Sequence, residues 1–156
     1  MQLKRGNMWE SLNTVNAVFL VTTNSMIDTY GNLIMGGGVA LQAKKMFPEL
    51  PKIFGKAVVE LDKVLDVYGI LIQENTFTPT LNQNKVCAFQ TKINPWFDSM
   101  LDVIDTSVCM LISLAKTHQD VVFHLPYPGI GLGSLKKSNV FPIIEKLPDN
   151  VIVWEL

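Results

Sequence analysis

Short apolar runs alternate with amphipathic segments along this chain, and that alternation constrains its fold more than any other feature. The apolar runs are short enough for buried strands, and several are rich in β-branched residues. They occupy residues 17–23, 67–72, 86–90, 121–125 and 151–154. Helical patterns cover residues 39–47, 51–59, 96–116 and 138–147. This order predicts an α/β domain with a largely parallel sheet covered by helices, whose strand-to-helix loops meet at one sheet edge.

Local signals refine several of these boundaries. In the longest predicted helix, 96–116, apolar residues recur every three or four positions, and Pro95 precedes its start. Ser138 or Asn139 is the expected N-cap of the last helix. The first five residues are expected to lead straight into a polar turn, and residues 75–84 to form a polar connection.

Size and charge limit the classes of protein that the chain can belong to. Its 156 residues, 48% of them apolar, suffice for one domain, which we expect to span 1–156. A net charge of −1, with Arg5 as the single arginine, excludes a broad basic face for nucleic acid. The longest apolar stretch, 108–115, is far below the roughly 20 residues of a membrane span. Without a recognisable signal peptide, we expect a cytoplasmic monomer with no membrane partner.

Two glycine-rich turns each follow a predicted strand and precede a predicted helix. The first glycine loop is residues 32–40 (NLIMGGGVA), and the second glycine loop is residues 126–135 (PYPGIGLGSL). Glycines leave backbone N–H groups unobstructed, and such groups can hold a phosphate or pyrophosphate. Alternatively, each glycine only permits a positive φ in a tight turn. Because both loops fall at the same predicted sheet edge, an anion-binding cleft is at least as well supported.

Lys92 is the most interesting ionisable residue. It follows the strand 86–90 and precedes the sequence Asn-Pro-Trp at 94–96, so it belongs to the same loop edge. A lysine there can steady a phosphate or act as an amine nucleophile. From chemistry alone, a solvated lysine at a strand end is the simpler interpretation.

Other chemical motifs fit poorly. His124 alternates with apolar neighbours on a strand, which favours a hydrogen-bonded core histidine, and His118 is expected at the surface or as a helix cap. The two histidines and two cysteines lack metal-ligand spacing, so no metal and no cofactor are expected. A GxxxxGK[ST] loop is absent, the second glycine loop reads GxGxG rather than GxGxxG, and Ser134 lies in no GxSxG elbow. The three tryptophans are expected to pack, although any of them could edge a base-binding pocket.

Taken together, these segments resemble the macro domain, the ADP-ribose-binding α/β/α module. The resemblance is carried by residues 5–10 (RGNMWE), 21–25 (VTTNS), 31–48 (GNLIMGGGVALQAKKMFP), 89–96 (FQTKINPW) and 128–135 (PGIGLGSL). It is strongest to the branch of the terminal ADP-ribose protein glycohydrolase and the DNA ADP-ribosyl glycohydrolase antitoxins. It implies a three-layer α/β/α sandwich with a mixed, mostly parallel central sheet.

The resemblance also implies roles for individual residues. Asn7 and Met8 would contact adenine, and Lys92 would attack the anomeric carbon C1″ of the distal ribose. The distal ribose would be held by Asn24, Gly36, Gly37, Gly38 and Val39. The diphosphate would be held by backbone amides of Gly129, Ile130, Gly131, Leu132, Gly133 and Ser134.

Two positions depart from the expected patterns. Lys136 stands where the resemblance places an aspartate that assists the chemistry, and Asn7 replaces the aspartate of many macro domains. The leading hypothesis is therefore binding of ADP-ribose or a derivative, with its removal from a modified macromolecule. The alternatives are a phosphatase acting on ADP-ribose 1″-phosphate, with Lys136 attracting the extra phosphate, and a non-catalytic reader of ADP-ribose marks. The least favoured is a scaffold that no longer uses its pocket.

Overall fold

The structure of the protein, a computed structural model, describes residues 1–61, 66–72, 78–79 and 84–155. The strands are β1 (Gln2–Arg5), β2 (Ala17–Thr23), β3 (Ile70–Leu71), β4 (Thr78–Pro79), β5 (Lys85–Gln90), β6 (Val122–Pro126) and β7 (Val151–Glu155). The helices are α1 (Gly38–Met46), α2 (Leu50–Glu60), α3 (Leu101–Thr117) and α4 (Lys137–Ile144). Two short 3₁₀ turns cover Met8–Asn13 and Gly131–Gly133.

All seven strands belong to one mixed sheet. Its order is β1-β7-β6-β2-β5-β3, and β4 also pairs with β5. The neighbouring pairs β1–β7, β7–β6, β6–β2 and β2–β5 are parallel, whereas β3 and β4 run antiparallel to β5. The prediction of a mixed, mostly parallel sheet is confirmed.

The sheet separates two apolar cores because successive strand residues point to opposite faces. Phe19 and Val21 of β2 face one core, which α1 and α2 cover. Leu20, between them in sequence, faces the other core, which α3 and α4 cover. This arrangement confirms the predicted three-layer α/β/α sandwich. No helix in the described part of the chain is long and apolar enough to cross a membrane.

The predicted start of the longest helix, at residue 96, is wrong. Asn94 forms a turn, in which its side-chain oxygen accepts the Trp96 N–H and its carbonyl oxygen accepts the Phe97 N–H. Met100 then adopts an extended conformation, and its N–H donates to the Thr91 carbonyl, so that α3 begins only at Leu101. Trp96 is 73% exposed and does not pack in the core, contrary to expectation.

Other boundaries also differ from the predictions. Helix α4 begins at Lys137 after Lys136, so neither Ser138 nor Asn139 is its N-cap. The predicted strand 67–72 is reduced to β3. The first residues form β1, a strand of exposed residues with no apolar alternation that could have predicted it. The expected connection at 75–84 lies largely outside the described residues.

The carboxyl ends of the parallel strands meet at one edge, as predicted. β2 is followed there by Asn24, β5 by Thr91 and Lys92, and β6 by the second glycine loop. The end of β1 is held to the end of β7 by the Gly6 N–H, which donates to the Glu155 carbonyl. Four segments that are distant in sequence therefore converge on one place.

Candidate functional site

A cleft of about 850 Å³ lies at this edge of the sheet. Small-molecule sites occupy roughly 300–1,000 Å³, so its volume suits a nucleotide-sized ligand. The cleft is lined by every site residue predicted from the sequence except Ser134, namely Asn7, Met8, Asn24, Gly36, Gly37, Gly38, Val39, Lys92, Gly129, Ile130, Gly131, Leu132 and Gly133. The structure thus brings the predicted residues together in one cleft.

The first glycine loop ends in α1, whose first N–H groups have no intrahelical acceptors. Gly37 is the N-cap in an extended conformation, and Gly38 opens the helix. A Cβ at Gly37 would lie 2.8 Å from Cδ1 of Leu132, a residue of the second glycine loop. The two loops therefore touch across the cleft, and a Cβ at 37 would require the exposed Leu132 side chain to shift.

The second glycine loop combines two turns at positive φ with free backbone donors. Gly129 and Gly131 adopt φ angles of +79° and +66°. These angles agree with the alternative interpretation that the glycines permit a positive φ in a tight turn. Within the described chain, the N–H groups of Ile130, Gly131 and Leu132 have no acceptor, whereas the Ser134 N–H donates to the Gly131 carbonyl. The loop therefore presents three adjacent free donors, and Ser134 contributes to the turn rather than to the cleft wall.

Asn24 is held rigidly where β2 ends. Its Oδ1 accepts the Met26 N–H at 2.9 Å, and its Nδ2 donates to the Ile34 carbonyl at 2.8 Å. This pair of bonds ties the strand end to the first glycine loop. One Nδ2 hydrogen remains for a ligand, so Asn24 can both position the loop and donate to a bound group.

Asn7 and Met8 line the cleft where β1 ends. The Asn7 side-chain oxygen caps a 3₁₀ turn by accepting the Trp9 N–H at 3.0 Å, which leaves its second lone pair and the amide NH₂ to meet a ligand. Trp9 Nε1 donates to Gln42 Oε1 at 3.0 Å and joins this turn to α1. Met8 is buried beside it.

Lys92 is half-buried in the cleft wall, and its Nζ makes no hydrogen bond or ion pair with any residue in the described ranges. Its backbone is fixed by Gln90, a fully buried side chain. Gln90 Nε2 donates to the carbonyls of Lys92 and Asp66, while its Oε1 accepts the N–H groups of Tyr68 and Gly69. Lys92 therefore lines the cleft with an unpaired side chain on a hydrogen-bonded backbone.

The lysine that replaces the aspartate of the branch pattern is not part of the cleft. Lys136 is exposed and lies outside the lining, whereas its neighbour Lys137 lines the cleft. Lys137 Nζ binds Glu155 Oε2 at 2.9 Å and lies 5.4 Å from the centre of the Tyr127 ring. Among the residues described, no aspartate or glutamate lines the cleft.

The histidines behave as the sequence predicted. His124 is buried, stacks on Phe19 with ring centres 4.7 Å apart, and accepts the Trp154 Nε1–H at 3.0 Å. Burial, aided by the charge of Lys4, lowers the pKa of His124 to about 4, so the ring stays neutral and serves as an acceptor. His118 caps α3 at the surface. No cluster suited to a metal ion occurs among the described side chains.

Sequence reasoning missed several lining residues, chiefly Thr91, Ser99, Tyr127 and Lys137. Tyr127 follows β6 and could have been found from its place at the strand end. Ser99 gives no such signal, because residue 99 was expected inside a helix. It reaches the cleft only because the chain takes a non-helical path before α3.

The fold and the cleft define an α/β sandwich with a glycine-lined pocket at the carboxyl edge of its sheet. Among solved structures, the macrodomain of Mycobacterium tuberculosis DarG matches with a TM-score of 0.70 at 23% identity, over 99% of this chain and 98% of that chain. The macrodomain of Thermus aquaticus DarG matches with a TM-score of 0.68 at 25% identity, over 98% and 95%. Thermosipho africanus DarTG in complex with ADP-ribose matches with a TM-score of 0.68 at 22% identity, over 98% of this chain and 41% of that chain.

These likenesses show that the chain has the macrodomain fold, as the resemblance in sequence implied. No protein-family model matches the chain, and no curated protein matches it in sequence.

Proposed function

We propose that the cleft binds ADP-ribose or a closely related derivative. The observation that carries this proposal is the row of free N–H groups at Ile130, Gly131 and Leu132, in a loop that lines the same cleft of about 850 Å³ as the first glycine loop. Backbone donors of this kind suit a diphosphate, which needs several hydrogen bonds and no particular side chain. The fold shared with a protein solved in complex with ADP-ribose supports the same ligand.

In this proposal the ligand lies along the cleft with adenine beside Asn7 and Met8. The diphosphate meets the second glycine loop, and the distal ribose meets Asn24 and the first glycine loop, residues 36–39. The free amide NH₂ of Asn7 donates to an acceptor nitrogen on the base. The remaining Nδ2 hydrogen of Asn24 donates to a ribose hydroxyl.

Calorimetric titration with ADP-ribose tests the binding proposal, with ADP and ribose 5-phosphate as controls. We expect a Kd near the micromolar range, roughly −8 kcal/mol, and weaker binding of both controls. Failure to bind ADP-ribose would contradict the proposal.

A second proposal is that Lys92 removes ADP-ribose from a modified macromolecule. The observation that favours it is the unpaired Nζ in the cleft wall. In its uncharged form, Nζ bonds to C1″ of the distal ribose as the bond from C1″ to the modified group breaks, and the leaving group takes up the proton that Nζ loses. Water then releases ADP-ribose and restores the amine.

Lys92→Ala separates this activity from binding. We expect the variant to bind ADP-ribose as the wild type does and to release none from ADP-ribosylated protein or oligonucleotide. Lys56→Ala, an exposed lysine on α2, is the matched control and should keep full activity. Retained turnover in Lys92→Ala would contradict the assignment.

A reader without catalytic activity remains the alternative, and one observation favours it. No carboxylate lines the described cleft, so no aspartate or glutamate is available to accept a proton or to stabilise a cationic ribose there. A reader would bind ADP-ribose but release no product from any substrate. The phosphatase alternative depended on Lys136, and it loses that support because Lys136 does not line the cleft.

A further inference from the structure

The hydroxyl of Ser99 is the buried polar group that the fold leaves unexplained. Ser99 is 5% exposed, and its Oγ has no hydrogen-bond partner in the described structure. A buried hydroxyl without a partner is destabilising, and such groups are rare in folded proteins. A group of this kind calls for a partner that the chain itself does not supply.

Ser99 lies directly against the second glycine loop. Its N–H donates to the Gly133 carbonyl at 2.9 Å. A Cβ at Gly133 would collide with Ser99 Oγ, and a Cβ at Gly129 would lie 3.4 Å from Ser99 Cβ. The hydroxyl is therefore next to the loop that presents the free N–H groups, and Ser99 itself lines the cleft.

Ser107 shows what a structural serine looks like in the same region. Its Oγ is also fully buried, yet it donates to the Gln90 carbonyl at 2.7 Å. That hydroxyl joins α3 to β5 and is satisfied without a ligand. The Ser99 hydroxyl, by contrast, has no hydrogen-bond partner in the described structure, and Ser99 lines the cleft.

We infer that Ser99 is an additional ligand-binding residue, whose hydroxyl donates to a phosphate oxygen of the nucleotide held by the second glycine loop. Rotation about its Cα–Cβ bond, between staggered positions, turns Oγ from beneath Gly133 toward the cleft. A hydrogen bond to a charged phosphate is stronger than one to a neutral group, which offsets the cost of the change. The inference rests on the proposed binding of ADP-ribose.

Ser99→Ala tests this inference by calorimetry with both ADP-ribose and ADP. We expect about tenfold weaker binding of each compound, because each carries the diphosphate. The matched control is Ser113→Ala, which removes an exposed hydroxyl from α3 and should leave both affinities unchanged.

Thermal unfolding without ligand supplies the second measurement. Ser99→Ala removes an unsatisfied hydroxyl, so its Tm should equal or exceed that of the wild type. A lower Tm would mean that the hydroxyl has a structural partner in the free protein and would overturn the inference. Unchanged binding of ADP in Ser99→Ala, or a loss for ADP-ribose alone, would also overturn it. If the wild type binds neither compound, the proposed function itself fails.

Discussion

At the residue scale, Gln90 determines where the backbone of Lys92 lies. Its side chain makes four hydrogen bonds to backbone groups of residues 66, 68, 69 and 92, and it has no exposed surface. Gln90→Met retains much of the shape and removes all four bonds, so the buried N–H groups of Tyr68 and Gly69 lose the side-chain acceptor that they share. A buried polar group left without a partner costs about 1–3 kcal/mol. We therefore expect urea unfolding to show that Gln90→Met lowers the free energy of unfolding by about 3 kcal/mol.

The control for this prediction is Gln2→Met, at an exposed glutamine in β1. Its free energy of unfolding should stay within about 0.5 kcal/mol of the wild type. Equal stability of the two variants would show that the Gln90 bonds do not hold the segment.

His124 gives the fold a pH dependence. Its pKa is about 4 in the folded protein, below the ordinary value of 6.5, so the unfolded chain binds more protons between these two pH values. Stability from this group is therefore fully present above about pH 6.5 and is lost as the pH falls toward 4. His124→Gln should show a smaller loss of unfolding free energy between pH 7 and pH 5 than the wild type.

His118→Gln, at the exposed end of α3, provides the comparison for His124. This variant keeps the buried ring of His124, so its free energy of unfolding should vary with pH as that of the wild type does. Identical pH profiles for wild type and His124→Gln would exclude His124 as the source of the dependence.

At the scale of elements, the second glycine loop tolerates side chains unequally. Gly129→Ala forces a Cβ to a positive φ and within 2.7 Å of Ile104 Cδ1, whereas Gly131→Ala meets only the positive φ. We expect losses of about 3 kcal/mol for Gly129→Ala and about 1 kcal/mol for Gly131→Ala in denaturant unfolding. Gly36→Ala, with open space and no positive φ, should change stability by less than about 0.5 kcal/mol. A different order would mean that the loop relaxes around the new side chain.

The same scale shows what the sequence could and could not predict. The glycine loops were predictable because each follows a strand whose apolar run is plain in the sequence. The start of α3 was not, because Phe97 and Met100 satisfy the helical spacing while hydrogen bonds to Asn94 and Thr91 hold the segment in another conformation. The spacing of apolar residues indicates which of them could share one face of a helix. It does not indicate which backbone N–H groups form hydrogen bonds outside the helix.

At the scale of the molecule, the cleft is built by strands that are neighbours in the sheet and distant in sequence. Asn7, Asn24, Lys92 and Gly129 each follow a different strand, and the parallel order brings those strand ends together. The sequence predicted this convergence through the rule for parallel sheets. It could not predict the unpartnered hydroxyl of Ser99, because a hydrogen bond that is not made is visible only when every neighbour is in place.

Because the cleft joins these separate segments, a ligand that bridges them should stabilise the whole domain against unfolding. At a concentration one hundred times its Kd, ADP-ribose should add about 2.7 kcal/mol to the free energy of unfolding. For a chain of this size that corresponds to a rise in Tm of about 5–10 °C, which should grow with the logarithm of ligand concentration. Ribose 5-phosphate at the same concentration lacks the adenine and the diphosphate, so it should raise Tm far less. An equal rise in Tm with both compounds would mean that contacts to a single phosphate, and not contacts along the full length of the cleft, account for the stabilisation.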